Sequence, residues 1–465
     1  MKKICATLVL TLLAGVVFAE STLDGYIRSG LSGNLALRQH RFTLEKSLEA
    51  LKEAKRMYSP TVAVQARYSR AGGGRMIEFP IGDLMNPVYS SLNDLYRLQG
   101  IPSDYPTNLA NESFPFFRRQ EQETKIRIVQ PLLQPAIHHN IRIKSRMSDM
   151  ERAGIDVYTR ELIAEIQTAY FNYSKTRRVF ELLEQTKTLL EENLRISREL
   201  VRIGKATEDT VFRAEAEMAG LEQKQAEALK NESMAQSYFN FLLNRDLNTS
   251  ITIETSPPPP SLTPENIEDA VKKALTKRNE FRQMEAALSL TGQQEKLAGS
   301  AYLPTVSAVV DYGIQGETYS LGKDDDYWMA SLVFEWNVFD GGRNRSIKNQ
   351  AALEKKRLAV QKAELAQQIR LQVVNASSAL QAARKALEAA KSREKSAEES
   401  FRIVQKKYKH GTAPQIEYLD AQTTLTEASV SRILAEHEVH INAAEFDRVT
   451  AGVDVTRFTR EETAQ

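Results

Sequence analysis

The sequence contains two related halves. The motif "YSPTV" at residues 58–62 returns as "YLPTV" at residues 302–306, at an offset of 244 residues. Further along, Leu132 corresponds to Val338 at an offset of 206, which places 38 additional residues between the strands of the first half. Each half reads as a helix, two strands, a very long helix, a glycine turn and a returning helix. A tandem of this size predicts a duplicated architectural unit.

The first 19 residues have the pattern of a cleavable export signal. Lys2 and Lys3 give a basic start, an apolar run reaches Phe18, and Ala19 is a small residue at the expected cleavage point. The alternative, a buried N-terminal helix, fits the abrupt change to polar sequence less well. Cys5, the only cysteine, lies inside this segment. The mature chain is therefore expected to have neither a disulfide nor a thiolate site.

The charge of the mature chain is balanced. The full sequence has 62 basic and 60 acidic residues, and removal of the signal takes two lysines away. Such a chain lacks the broad basic field that nucleic-acid binding requires. No later stretch approaches the roughly 18 apolar residues of a transmembrane helix. If the exported chain spans a membrane, we expect it to do so with strands.

Two long helices dominate the pattern. Apolar and small residues follow a 3-4 spacing over about 140–203 and again over about 343–409. Sustained heptads predict coiled-coil packing. Some 60 residues at about 1.5 Å each predict helices of roughly 90–100 Å. Returning helices are predicted over about 207–244 and 414–450.

Glycine turns end both long helices, because glycine adopts the left-handed conformation without steric cost. Thr207 is expected to cap the first returning helix, and Pro414 suits the first turn of the second. The tips of the two predicted hairpins are Ile203, Gly204 and Lys205 in the first half and His410, Gly411 and Thr412 in the second.

Four alternating segments predict strands, at about 61–70, 124–133, 303–313 and 326–339. The two tryptophans of the chain, Trp328 and Trp336, lie eight residues apart on one face of the last strand. At about 3.3 Å per residue this spacing is roughly 26 Å, close to the lipid-facing height of an outer-membrane barrel with aromatic girdles. The alternative is a soluble sandwich strand with both tryptophans in its core.

These elements divide the chain. The predicted divisions are a signal at 1–19, a first repeat at 20–250, an inter-repeat segment at 251–280, a second repeat at 281–452 and a tail at 453–465. The first inter-strand segment, 70–123, is rich in proline, so we expect it to lack regular structure over most of its length. The second connection ends in Asp324-Asp325-Asp326, which is either a solvated turn or a divalent-cation site.

The chain from about residue 30 to 452 resembles the TolC-like outer-membrane efflux and secretion channels. The motifs that carry the resemblance are "YLPTV", "FEWNVFDGG" and "YKHGTAPQIEYLDAQTTL". The first-half counterparts are looser, and "VQPLLQPAIHH" lacks the Asp-Gly-Gly. The resemblance implies a mixed α/β membrane protein. Three subunits would give four strands each to a 12-stranded transmembrane β-barrel, and their antiparallel helical hairpins to a periplasmic α-barrel.

The number of strands and their open edges predict self-association without the family resemblance. Single-chain outer-membrane barrels start at about eight strands, so four cannot close around a lumen. An open strand edge in lipid leaves backbone N–H and C=O groups unpaired. The strand number therefore predicts assembly of several copies, while only the resemblance selects three.

The resemblance also implies a gate beside the second tip. Glu417 and Asp420 lie three residues apart on one helix face, and in the family acidic side chains at this place ring the periplasmic entrance. Tyr408 matches a tyrosine that helps to hold the entrance shut. Ala413 occupies a position where a family member has an arginine, so the same closing bonds cannot form here. The alternative is that the two acids only solvate a helix face.

No catalytic, cofactor or metal constellation is recognisable. His138 and His139 are adjacent and point in different directions, and the sequence has no zinc spacing and no phosphate-binding glycine loop. We therefore do not expect this protein to be an enzyme. The function expected is a passive exit duct of a tripartite efflux or type I secretion system, docked at its tips to a periplasmic adaptor and an inner-membrane transporter. The alternative is a secreted coiled-coil scaffold or adaptor without a pore.

Overall fold

The computed structural model describes residues 22–254, 266–318 and 325–459. The predicted signal at 1–19, the proline run at 256–261 and Asp324 lie outside these residues. The described residues form two compact units. The helical unit falls within Met1–Glu49, Ser145–Thr291 and Leu353–Gln465, and the sheet unit within Ala50–Lys144 and Gly292–Ala352.

Helices make up most of the described chain. In chain order the elements are α1 (Thr22–Gly33), α2 (Leu35–Arg56), β1 (Thr61–Arg70), β2 (Met76–Phe79), α3 (Ile81–Leu98), β3 (Glu112–Pro115), β4 (Gln120–Leu133), α4 (Pro135–Arg202), α5 (Glu208–Leu242), α6 (Ile267–Lys277), α7 (Asn279–Ser300), β5 (Thr305–Gly316), β6 (Asp326–Glu335), α8 (Arg343–Lys409), α9 (Gln415–Thr450) and α10 (Thr456–Thr459). A helix, two long strands, a long helix and a returning helix occur in this order as α2, β1, β4, α4 and α5, and again as α7, β5, β6, α8 and α9.

The main sheet has four antiparallel strands in the order β1-β4-β5-β6. The register joins one residue of each strand into continuous rows, such as Val64, Ile126, Tyr312 and Trp328. β1 and β6 each pair on one side only, so the described sheet has two open edges. A second, two-stranded sheet joins β2 to β3.

The core of the helical unit follows the long helices. Buried residues of α8 recur at steps of three and four, including Ile369, Val373, Ala376 and Leu380, as the heptad pattern predicts. They pack with α6 and α9 in one apolar cluster. A second cluster joins α1, α4 and the end of α5 around Tyr170.

Regular structure in the segment 70–123 corrects the expectation drawn from its prolines. α3 is an 18-residue helix that contains Pro87, and β2 pairs with β3. Asparagine side chains hold the following loop against α3. Asn86 both donates to the Leu109 carbonyl at 3.0 Å and accepts from the Leu109 N–H at 2.8 Å. These bonds depend on residues more than twenty positions apart, so a count of prolines does not reveal them.

Two other expectations need correction. β6 ends at Glu335, so Trp336 lies just beyond the strand, where its Nε1–H donates to the Tyr302 carbonyl at 3.0 Å. Thr207 precedes α5, but its side chain accepts no capping hydrogen bond. Its hydroxyl donates to Asp209 instead.

Candidate functional sites on the sheet and at the hairpin tips

One face of the main sheet is apolar and exposed. In the row Val64, Ile126, Tyr312 and Trp328, the exposed fractions are 73, 44, 56 and 75%. Side chains alternate between faces along each strand, so every second residue continues this surface. Its other exposed members include Val62, Tyr68, Ile128, Val310, Leu332 and Phe334. A continuous exposed apolar surface of this kind marks a face that contacts lipid or another chain.

The opposite face of the sheet is ionic. The guanidinium of Arg127 on β4 donates to both carboxylate oxygens of Asp311 on β5, at 2.7 and 2.6 Å. Glu123 accepts from Lys125 at 2.7 Å and from the Tyr327 hydroxyl at 2.8 Å. The side chain of Asp311 is fully buried within this group. Paired charges of this geometry are strong hydrogen bonds, so the two faces have opposite solvent preferences.

The two helical hairpins end in the same type of turn. At the first tip Gly204 has φ 70°, its N–H donates to the Val201 carbonyl, and the Lys205 N–H donates to the Leu200 carbonyl. At the second tip Gly411 has φ 72° and makes the corresponding bond to Tyr408. This pair of bonds with a left-handed glycine is a Schellman motif. It terminates α4 and α8 after the residues that the sequence indicates.

The remaining predicted tip residues lie at these turns and are accessible. Ile203 is 53% exposed, and Lys205 and His410 are exposed as well. The hydroxyl of Thr412 donates to the Lys407 carbonyl at 3.0 Å, beside the bond from its own N–H at 2.9 Å. The tips therefore present side chains around rigid backbone turns.

The predicted acidic pair lies on the first two turns of α9. Asp420 is exposed, and Glu417 is partly buried. Tyr408 stacks on Tyr418 with ring centroids 4.8 Å apart and an angle of 24° between the rings. Tyr408 thus anchors the end of α8 to the start of α9, and the two acids lie one and two residues from the stacked Tyr418.

A buried polar group beside the acidic pair was missed by the sequence reasoning. Gln415 is buried, and its side-chain amide donates to Asn193 Oδ1 at 3.1 Å and to Ser197 Oγ at 2.8 Å on α4. Gln422, seven residues later, is 3% exposed, and neither of its amide atoms has a partner among the described residues. The signal available was the heptad spacing of two glutamines at positions that pack inward.

The described residues contain no group of three or more His, Cys, Asp or Glu placed to hold a metal ion. The rings of His138 and His139 lie edge to face, 5.4 Å apart. Of the acidic run, Asp325 and Asp326 are described, and the Asp325 carbonyl accepts from the Gln315 N–H at 2.9 Å. Among the described helices, none has an apolar stretch long enough to cross a membrane.

Comparison with known proteins matches part of the chain to one family. Residues 270–452 match the family described as outer membrane efflux protein. OprJ, an outer membrane protein of Pseudomonas aeruginosa, is 23% identical over 267 residues, which cover 56% of this chain and 55% of the relative. The chain thus spans about half the length of the curated relative that it matches. The match covers the C-terminal part of the chain and agrees with the resemblance to the TolC-like outer-membrane channels.

Solved structures show the same fold. The CmeC outer membrane channel of Campylobacter jejuni superposes with a TM-score of 0.75 at 16% identity, covering 96% of this chain and 89% of CmeC. For the outer-membrane channel OprN the TM-score is 0.73 at 17% identity, covering 93% of this chain and 91% of OprN. The matched family and these channels agree with the expected outer-membrane localisation. The matched family consists of non-enzymatic transport proteins, in agreement with the expectation that this chain is not an enzyme.

Proposed function

We propose that this TolC-like protein is the passive exit duct of a tripartite efflux or type I secretion system. In this proposal three copies close their four-stranded sheets into one 12-stranded transmembrane β-barrel, and their helical hairpins form a periplasmic α-barrel. Small molecules or proteins leave an inner-membrane transporter, pass a periplasmic adaptor and reach the exterior through the barrel. The observation that carries the proposal is a sheet with one apolar face, one ionic face and two open edges.

The apolar face supports contact with outer-membrane lipid. Contact with water is unfavourable for an exposed apolar row, and transfer of that row into hydrocarbon is favourable. The row consists of Val64, Ile126, Tyr312 and Trp328. Trp328 remains a proposed interface residue at the start of β6. Trp336 is proposed for the other interface, although it lies beyond the strand and is held by its bond to Tyr302.

The two open edges support closure by association. In hydrocarbon, leaving one backbone N–H or C=O group of β1 or β6 unpaired costs on the order of several kcal/mol. Pairing β6 of one copy with β1 of the next removes both edges of every copy. Arg127, Asp311 and the charges around Glu123 then face a water-filled interior, the arrangement known for outer-membrane strands. The number of three copies comes from the family resemblance.

The hairpin tips are the proposed docking surface for the adaptor. An adaptor that presents a helical hairpin would meet Ile203, Gly204 and Lys205 at the first tip and His410, Gly411 and Thr412 at the second. Helices recognise helices through apolar anchors at helical spacing, and the exposed side chain of Ile203 offers one.

The acidic pair beside the second tip is the proposed gate. With threefold symmetry, Glu417 and Asp420 would place six carboxylates around a narrow entrance, where rings of acidic side chains favour cations and resist anions. Tyr408 would hold the end of α8 in the closed position through its stack on Tyr418.

Neighbouring residues on β6 allow a matched test of membrane insertion. Leu332 lies on the apolar face at 70% exposure, and Val333 lies on the ionic face at 46%. An arginine at the bilayer midplane costs about 2–4 kcal/mol on a lipid-facing strand position. Leu332→Arg should therefore abolish detergent-stable trimers in the outer membrane, while Val333→Arg should preserve them.

The same material separates a channel from a coiled-coil scaffold without a pore. A channel requires detergent for extraction from membranes and migrates as a trimer. Release of the wild-type protein by high salt alone, or a monodisperse monomer in mild detergent, would reject the proposed function.

A further inference from the structure

A cavity of about 610 Å³ lies inside the helical unit, remote in sequence from both tips. Its wall is made by α1, the start of α2, the middle of α4, the start of α7 and the residues around α10. Cavities of about 300–1,000 Å³ are typical of small-molecule sites. The cavity plays no part in the proposed pore or gate.

The charge of the wall is strongly asymmetric. Four arginines line the cavity, namely Arg28, Arg41, Arg160 and Arg282, and one carboxylate, Asp156, lies among them. The carboxylates of Glu280 and Asp454 attract Arg160 electrostatically and favour its charged form. Glu280 is itself paired with Arg278, and Asp454 accepts hydrogen bonds from Thr456.

Arg160 has an unmet hydrogen-bonding requirement at this wall. Its Nη1 donates to the Val453 carbonyl at 2.8 Å. Its Nε–H is buried and has no partner among the described residues. A buried donor without an acceptor costs about 1–3 kcal/mol, more if it is charged. An acceptor atom placed in the cavity would remove that cost.

Burial disfavours the charged form of both Arg160 and Asp156. It lowers the pKa of Arg160. It also raises the pKa of Asp156, although Arg282, Arg160 and Arg152 oppose that change. Both changes disfavour uncompensated charge in a poorly hydrated wall, and an anion between the arginines would compensate the guanidinium charge.

The rest of the wall combines an apolar part with uncharged polar residues, namely Ser29, Ser32, Thr159, Asn279 and Thr456. Leu31, Leu37, Ile155, Val455 and Phe458 line the cavity beside the arginines. A small inorganic ion would leave this part of the cavity unoccupied. A ligand with an anionic group at one end and a hydrocarbon part at the other would contact both halves of the wall.

We propose that the cavity binds an anionic amphiphile, with a phosphate or carboxylate group between Arg160 and Arg282 and an apolar portion against Leu37 and Phe458. Planar guanidinium groups bind such oxyanions through two parallel N–H bonds. The ligand connects segments from both ends of the described chain, so its binding stabilises the helical unit through linkage.

Isothermal titration calorimetry of the detergent-solubilised full chain tests this site with three probes. Hexyl phosphate supplies charge and hydrocarbon together, inorganic phosphate supplies the charge alone, and hexanol supplies the hydrocarbon alone. We expect saturable binding of hexyl phosphate, weaker binding of phosphate and none of hexanol. Dihexanoyl phosphatidic acid then identifies the source: tighter binding than hexyl phosphate indicates a lipid, and weaker binding indicates a small soluble amphiphile.

Single substitutions locate the binding. Arg160→Gln and Arg282→Gln should each weaken hexyl phosphate binding by roughly tenfold or more, since each loses charged hydrogen bonds. Arg282 is exposed at its surface side, so its variant is expected to fold even if Arg160→Gln does not. Arg402→Gln, at an exposed surface pair with Glu399, is the matched control and should bind as the wild type does. Absence of saturable binding, or equal affinity in Arg282→Gln and Arg402→Gln, would overturn the proposal.

Discussion

The two hairpins end in the same Schellman turn but bury their returning helices very differently. Phe212 on α5 is 63% exposed, whereas Leu419, its counterpart 207 residues later on α9, is 5% exposed. Likewise Glu215 is exposed and its counterpart Gln422 is buried. These two pairs thus face solvent in the first half and the helix bundle in the second, whereas Ala214 of α5 is buried. A shared turn is compatible with two different roles, an outward surface at the first tip and an interior one at the second.

Truncation of the two corresponding apolar side chains should give the largest difference in stability between the two returning helices. Leu419→Ala deletes a buried side chain and should lower the local opening free energy by about 2–5 kcal/mol. Phe212→Ala deletes an exposed one and should change it by about 0.5 kcal/mol or less. Hydrogen–deuterium exchange of amides at 208–225 and 415–430 measures both. Equal loss of protection in the two variants would show that the two returning helices are packed alike.

Acid should also weaken α9 selectively. The pKa of His437 is lowered from 6.5 to about 4, chiefly because burial disfavours the imidazolium, with Arg178 and His440 adding repulsion. The Ile433 carbonyl and Glu436 oppose this change. The unfolded segment therefore binds the proton first, so stability present above pH 6.5 is lost as the pH falls toward 4. The full loss is on the order of 3 kcal/mol.

Amide exchange across α9 as a function of pH checks this expectation. His437→Gln removes the titrating ring that bonds to Ser174, so it should reduce the pH dependence between 6.5 and 4. The part that remains is assigned to His440, whose pKa burial also lowers. His138→Gln, at an exposed position, should leave it unchanged. The same slope in all three proteins would assign the acid sensitivity to other groups.

A smaller loss of stability, equal in both hairpins, is expected at the glycine turns that the two hairpins share. A Cβ at Gly204 or Gly411 meets no atom within 4 Å, so substitution is strained by φ alone. Gly204→Val and Gly411→Val should each destabilise the tip by about 1–2 kcal/mol, leave trimers intact and weaken export. Gly220→Val, at a helical position with open space, controls for the bulk of the side chain. Normal export in both tip variants would remove the tips from the docking proposal.

Local patterns predict most of the fold. Heptad spacing indicates the long helices because each buried position lies on a fixed helix face, as the steps along α8 show. Alternation assigns Leu332 and its neighbours to opposite sheet faces in the same way. Glycine at 204 and 411 indicates the turns because few other residues adopt a positive φ.

Features set by distant contacts are not predictable in this way. The side chain of Asn86 on α3 bonds to the backbone of Leu109, and this contact holds the following loop against a helix that the prolines of the segment argue against. Similarly, heptad spacing can indicate that Gln415 faces inward, but its partners Asn193 and Ser197 are set by the packing of α9 against α4. The prediction of Glu417 and Asp420 rests on their shared helix face just past the second tip and on the resemblance to the family, in which acidic residues lie at this place.

Single-channel recording in planar bilayers tests the central claim, a pore with its gate at the second tip. The wild type should conduct, prefer cations and be blocked by multivalent cations from the periplasmic side. The Glu417→Gln/Asp420→Asn variant should lose most of the preference and the block, while Glu208→Gln/Asp209→Asn at the first tip should keep both. Absence of conductance, or unchanged selectivity and block in the Glu417→Gln/Asp420→Asn variant, would contradict the account.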